Sequence, residues 1–184
     1  MANTNPTKVI TGKVRLSYAK LNGPNDDGFY STAVLIPKTD KETALKIKQA
    51  VDAALERGKT ELWKGKIPAN VKKPLRDGDV EKEGDDVYAG MYFLNCKSKQ
   101  KPPVVNRALE PIVDADQIYS GMYANLSLTF YPFSKDGNNG VGCALNSVRK
   151  VADGDPLGGR SNPREDFADL VDDIEEGEDI DPLA

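Results

Sequence analysis

The sequence predicts an all-β domain, a barrel or a sandwich, that carries a single helix. Two observations lead there: five or more segments with strand character joined by turn-rich connections, and only one stretch with helical periodicity. Between Thr7 and Leu21 the even positions Ile10, Val14, Leu16 and Tyr18 are apolar, while Thr11, Lys13, Arg15 and Ser17 are polar. That alternation is the mark of a half-buried strand. Gly12 inside it predicts a bulge or bend, the device small barrels use to turn a strand from one sheet to the next. Asn22 to Gly28 reads as a turn. Phe29 to Ile36, nearly continuous in apolar and β-branched residues, suits a central strand, and Pro37 ends it.

Thr39 and Glu42 form a capping box ahead of Ala44, Ile47, Val51, Ala54 and Leu55, so a helix is expected over 40–57, with Gly58 near its exit. Lys41, Lys46 and Lys48 belong to its solvated face. Residues 59–86, with Trp63 as a packing anchor, read as a long irregular loop. Strand character returns at 87–98, 104–107, 119–133 and 141–151, and Gly-Asn-Asn-Gly at 137–140 reads as a hairpin turn.

A length of 184 residues fits one domain with a hydrophobic core plus a tail. No apolar run is long enough to span a bilayer, and Met1 to Pro6 lack the features of a secretory signal. Cys96 and Cys143 sit in apolar, strand-like stretches and are expected as buried thiols in a reducing cytoplasm. The chain has no histidine, which removes the commonest general base and the usual nucleophile arrangements, and two cysteines alone do not make a usual zinc site. No Gly-rich phosphate loop is present. The expectation is a protein without enzyme activity, metal or cofactor.

The net charge of −4 hides a division. Residues 153–184 carry twelve acidic side chains and two basic ones, −10, whereas residues 1–152 carry twenty-three basic and seventeen acidic, +6. A basic body attracts a polyanion, and an acidic appendage occupies that surface from within, serves as an interaction tail, or only aids solubility. Over 119–133, Met122, Ala124, Leu126, Leu128 and Phe130 form an apolar face, leaving Tyr119, Tyr123 and Tyr131 on the polar one. A face meant only for water has little need of large rings, so these are stacking candidates. Tyr88 and Tyr92 are expected to share a strand face, with Lys97, Lys99 and Lys101 leaving its end before Arg107. Rings beside cations are what a single-strand binder needs, because cations neutralise the backbone while rings accept any base by its π-face.

The run Leu75-Arg76-Asp77-Gly78-Asp79, then Tyr88 to Ser98 (YAGMYFLNCKS), resembles a family of phage single-stranded-DNA-binding proteins long catalogued as uncharacterised. Lys101 to Val105 (KPPVV), Ile118 to Tyr123 (IYSGMY), Phe130 to Phe133 (FYPF), Leu145-Asn146, and Asp153 to Gly159 (DGDPLGG) agree in order, so the likeness runs from Lys8 to Gly159. The resemblance implies an OB-like Greek-key barrel that binds single strands with little sequence preference and serves phage DNA replication, recombination or repair in the bacterial host's cytoplasm. The expected organisation is a binding domain over 1–152 and a flexible acidic tail over 153–184. Tyr88, Tyr92, Tyr119, Tyr123 and Tyr131 would stack bases, and Lys13, Arg15, Lys97, Lys99, Lys101 and Arg107 would line the backbone path. In the tail, Phe167, Leu170, Val171 and Ile174 could form an amphipathic turn on a phage replication or recombination protein, although Asp181 to Ala184 lack a terminal aromatic. Two other readings compete: an interaction protein whose acidic tail modulates a nuclease or polymerase, and a nuclease holding magnesium with Asp77, Asp79, Glu81 and Glu83.

Overall fold

The alternating stretch at the start of the chain resolves into two strands, β1 (Lys8–Ile10) and β2 (Val14–Lys20). In this computed structural model, which describes residues 5–157 together with Phe167 and Leu170, Gly12 lies at the bend between them. Its N–H donates to Thr43 Oγ1 at 2.9 Å, and a Cβ there would stand 2.7 Å from an Asp40 carboxylate oxygen. The predicted bend is therefore a docking point for the helix, and only glycine leaves room for it.

Next come β3 (Tyr30–Pro37), α1 (Lys41–Glu61), a short β4 (Arg76–Asp77) running into a one-turn α2 (Gly78–Glu81), and β5 (Met91–Ser98). After β6 (Val104–Val105) and a 3-10 turn, η1 (Ala115–Gln117), the chain ends in a long hairpin of β7 (Tyr123–Lys135) and β8 (Asn138–Ala152). Strand β2 pairs with β3, β3 with β5, β5 with β8 in parallel, β8 with β7, and β7 returns to β2 through Val14 with Ala124 and Arg15 with Tyr123. The ring is a closed Greek-key barrel, the architecture the resemblance implied, and closure leaves its central strands no free edge.

Leu16, Val34, Leu94, Leu126, Leu128 and Phe130 fill the interior, each fully buried, and Ile47, Ala50, Val51, Ala54 and Leu55 of α1 join the same core. The helix differs from its sequence reading at both ends. Asp40, not Thr39, is the cap: its carboxylate accepts from Thr43 N at 3.1 Å and from Thr43 Oγ1 at 2.6 Å. Gly58 sits inside the helix, because Trp63 and Pro132 pack against it where a side chain would stand. Trp63 is the packing anchor expected, with Nε1 donating to Asn139 Oδ1 at 3.1 Å.

The hairpin turn also moves. Asp136 and Gly137, with φ of 52° and 79°, form a two-residue connection of the primed type whose twist matches the flanking strands, and Asn138 to Gly140 already belong to β8. Residues 87–90 are turn rather than strand. Cys96 and Cys143 are free, buried neighbours across β5 and β8; burial, then Cys96 beside it, pushes the Cys143 thiol well up. Among the described residues no helix is long and apolar enough to cross a membrane. Most of the acidic tail, with its Val171 and Ile174, lies outside the described residues.

Replacing a helix-interior glycine by alanine ordinarily stabilises by about 1 kcal/mol. At Gly58 the sign should reverse, because the new methyl would meet Trp63 at 2.6 Å and Pro132 at 2.7 Å. Gly58→Ala should lower stability by about 1–3 kcal/mol, read as a lower urea midpoint.

Candidate nucleic-acid interface

Strand β7 sends Tyr123, Asn125, Ser127, Thr129, Tyr131 and Phe133 outward, in strict alternation with the buried row Ala124 to Pro132. Tyr123 and Tyr131 share this face but stand eight residues apart, about 27 Å along the strand. The candidate rings therefore divide between the two ends of the barrel.

At the Tyr131 end a groove of ≈ 570 Å³ opens along the parallel seam between β5 and β8. That seam has one registered pair, Lys97 with Ala144, and Asn95 and Lys97 face Tyr131, Phe133 and Lys135 across it. Tyr131 lies over Gly142, its partner on β8: a Cβ there would come within 2.5 Å of the ring. The glycine lets the ring lie against the neighbouring strand, and burial of that side pushes the phenol pKa up. Lys97 Nζ stands 4.5 Å from the centroid of Phe29, which precedes β3. The site thus joins two strand faces, the β7–β8 hairpin tip and the loop before β3. Lys99 and Lys101 are exposed just beyond β5.

At the Tyr123 end the chain covers its own candidates. Lys13 Nζ and Arg15 Cζ lie 4.8 and 5.6 Å from the Tyr123 ring centroid. Lys13 stays exposed, but over Arg15 and the ring runs the segment Asp153 to Leu157: Gly154 lies against the Tyr123 ring, Arg15 Nη2 donates to Asp155 O at 2.6 Å and Leu157 N to Ser120 O at 2.9 Å. Tyr119 Oη donates to Asp153 Oδ1 at 2.8 Å, and Lys150 Nζ reaches the same oxygen at 2.7 Å. Lys150, with Tyr119 second, holds the Asp153 carboxyl below its ordinary value; burial and then the hydrogen bond to Asp153 push Tyr119 up. Gly121, at φ +112°, has no room for a side chain beneath Asp155.

The remaining predicted residues lie elsewhere. Tyr88 does not share a strand face with Tyr92. It precedes β5, is 2% exposed, packs edge-on against Phe93 at 5.2 Å and reaches Ser17 Oγ at 3.4 Å, so no ring face is open to a base. Tyr92 is half-buried on the core side, with Lys38 Nζ 5.4 Å from its centroid. Arg107 is exposed on a separate groove of ≈ 530 Å³, beside Gln117, Lys150 and Asp153. Asp77 and Asp79 both hold the Lys38 ammonium, at 2.8 and 2.7 Å, while Glu81 lies 3.7 Å from Arg76. These acidic side chains are occupied with neighbouring cations. Sequence reading missed Phe29, Phe133 and Lys135; the Phe-Tyr-Pro-Phe run beside an Asp-Gly turn was the available signal for the last two.

The model of the family described as "Enterobacter phage Enc34, ssDNA-binding protein" matches residues 7–180. The chain belongs to that family. It is 31% identical to putative protein p50 of Acyrthosiphon pisum secondary endosymbiont phage 1, over 89% of this chain and 94% of that protein. Its fold is similar to that of the single-stranded DNA-binding protein from bacteriophage Enc34, solved in complex with ssDNA, with a TM-score of 0.69 and 24% identity over 86% of this chain and 97% of that one. It is also similar to gp2.5, a single-stranded DNA-binding protein encoded by bacteriophage T7, with a TM-score of 0.60 and 18% identity over 95% and 98% of the two chains.

The Asp153 contacts should show in acid. A carboxyl held below its unfolded pKa contributes stability that is present above that value and lost as pH falls through the folded one. Asp153→Asn should lower stability at neutral pH by no more than about 1 kcal/mol for so exposed a group, and by less at about pH 3, read as shifts of the urea midpoint.

Proposed function

We propose that this protein binds single-stranded DNA with little sequence preference, by laying the strand in the groove between β5 and the β7–β8 hairpin. The observation that carries the reading is the pairing of rings with cations there: Tyr131 and Phe133 beside Lys97 and Lys135, with Phe29 under Lys97. Rings stack on any base, and ammonium groups follow the phosphates without reading sequence. In barrels of this architecture the second and third strands and the loops at their ends are the usual oligonucleotide face, and β3, β5, the loop before β3 and the hairpin tip occupy those positions. Membership of the family, and the Enc34 protein solved in complex with ssDNA, support single-strand binding as such.

The role is non-enzymatic: holding and protecting single strands during phage replication, recombination or repair inside the host. Residues up to Ala152 form the binding domain, and the −10 of residues 153–184 makes an acidic tail that engages phage replication or recombination proteins. The tail also competes with DNA for the basic surface, a competition that salt screens.

Filter binding of a single-stranded oligonucleotide against its duplex tests the main reading, with preference for the single strand as the expected result. The log of affinity should fall with the log of salt at a slope of about −0.7 per phosphate neutralised, and Tyr131→Ala should weaken binding by about 1–3 kcal/mol. A flat salt response would remove the electrostatic groove. Deleting residues 161–184 should tighten binding at low salt and matter less at high salt; equal affinity at low salt would leave the tail a recruitment or solubility role only.

A further inference from the structure

Between Ser17 and Lys20 the register of β2 against β3 slips. Ser17 pairs with Ala33 and Lys20 with Ser31, so three steps on β2 oppose two on β3. That is a bulge, and the extra residue is Tyr18. Leu16 faces the core, Ser17 faces out, and Ala19 packs against the core again, so the bulge turns Tyr18 outward after Ser17. Simple alternation would have buried it beside Leu16. Tyr18 is instead 70% exposed, at φ +49°, a left-handed conformation that a bulky side chain rarely adopts.

The sheet register places this ring in line with the groove. Ser17 neighbours Ala33, Ala33 neighbours Asn95, Asn95 lines the groove together with Gly142, and Gly142 pairs with Tyr131. Ser17 and Ala33 are both buried, Ser17 against the Tyr88 hydroxyl, so the open floor between Tyr18 and Tyr131 narrows to Asn95 and Gly142. A parallel row of Lys20, Ser31 and Lys97 runs beside it. An exposed aromatic held in a strained backbone at the end of such a floor is costly for a surface that only meets water.

We infer that Tyr18 is a second stacking platform, and that the bound strand crosses β2, β3, β5 and β8 from Tyr18 to Tyr131 with its phosphates along Lys20 and Lys97. The inference rests on the groove reading above. Four interstrand steps span about 19 Å, room for a few nucleotides. Stacking needs the ring and not its hydroxyl.

The test is titration of the full-length protein with an oligothymidine of about twenty nucleotides, using Tyr18→Ala, Tyr18→Phe and Tyr131→Ala. Tyr18→Ala should weaken binding about tenfold or more while Tyr18→Phe stays within about twofold of the parent. If Tyr131→Ala were weakened and Tyr18→Ala were not, the second platform would be overturned and the groove would stand. If neither lost affinity, the groove reading and this inference would fall together. Were Tyr18→Ala unable to fold, Tyr18→Trp decides: oligonucleotide should quench the new indole over the background of buried Trp63, and an unquenched indole in a bound protein overturns the inference.

Discussion

Everything in this protein depends on one strand being paired along both edges. Strand β7 takes β8 along one side and β1 with β2 along the other, and without it the sheet would end in two raw edges. Closure fixes which residues can be inside. Once β7 is locked in register, Ala124, Leu126, Leu128 and Phe130 must face the interior, where α1 lies against them, and the alternate residues must face solvent. The rows on the outer surface, from which the site is built, follow from that register.

The same closure explains why the site lies at a seam. Antiparallel pairs join β3 to β5 and β7 to β8 along most of their lengths, while β5 and β8 meet in a parallel join of one registered pair. Where those strands part, side chains of both flank a trough. At the other end of β7 the outward positions are equally aromatic and cationic, yet the chain's own segment Asp153 to Leu157 is laid over them and satisfies Arg15, Tyr119 and Lys150. Two chemically similar surfaces thus differ in what already occupies them.

Much of the architecture was legible in the sequence because it depends on periodicity. The central strand, the single helix, the bend at Gly12 and the β7 alternation are all statements about spacing. The failures share a different cause: each turns on a partner distant in sequence. Tyr88 reads as a strand tyrosine until Phe93 and Ser17 are seen to enclose it. Tyr119 and Tyr123 read as free rings until the segment over them is in place, and Asp40 outcompetes Thr39 because its carboxylate reaches Thr43. Phe29 reads as the start of a central strand until β3 is seen to begin at Tyr30 and Lys97 to stand over its ring. The acidic cluster at 77–83 resembles a cation site only while Lys38, forty residues earlier, is out of view; those two aspartates hold its ammonium well above the ordinary lysine range.

The bulge at Tyr18 has a consequence for how such a surface can arise. Omit that residue and Val14, Leu16, Ala19 and Leu21 fall into perfect alternation, with Arg15, Ser17 and Lys20 between them on the outer side. The core does not register its presence. Tyr18 is in that sense an insertion, one codon spliced into an otherwise regular strand. A lineage can gain or shed an outward ring at this position in a single event without altering which side of the wall any buried residue occupies.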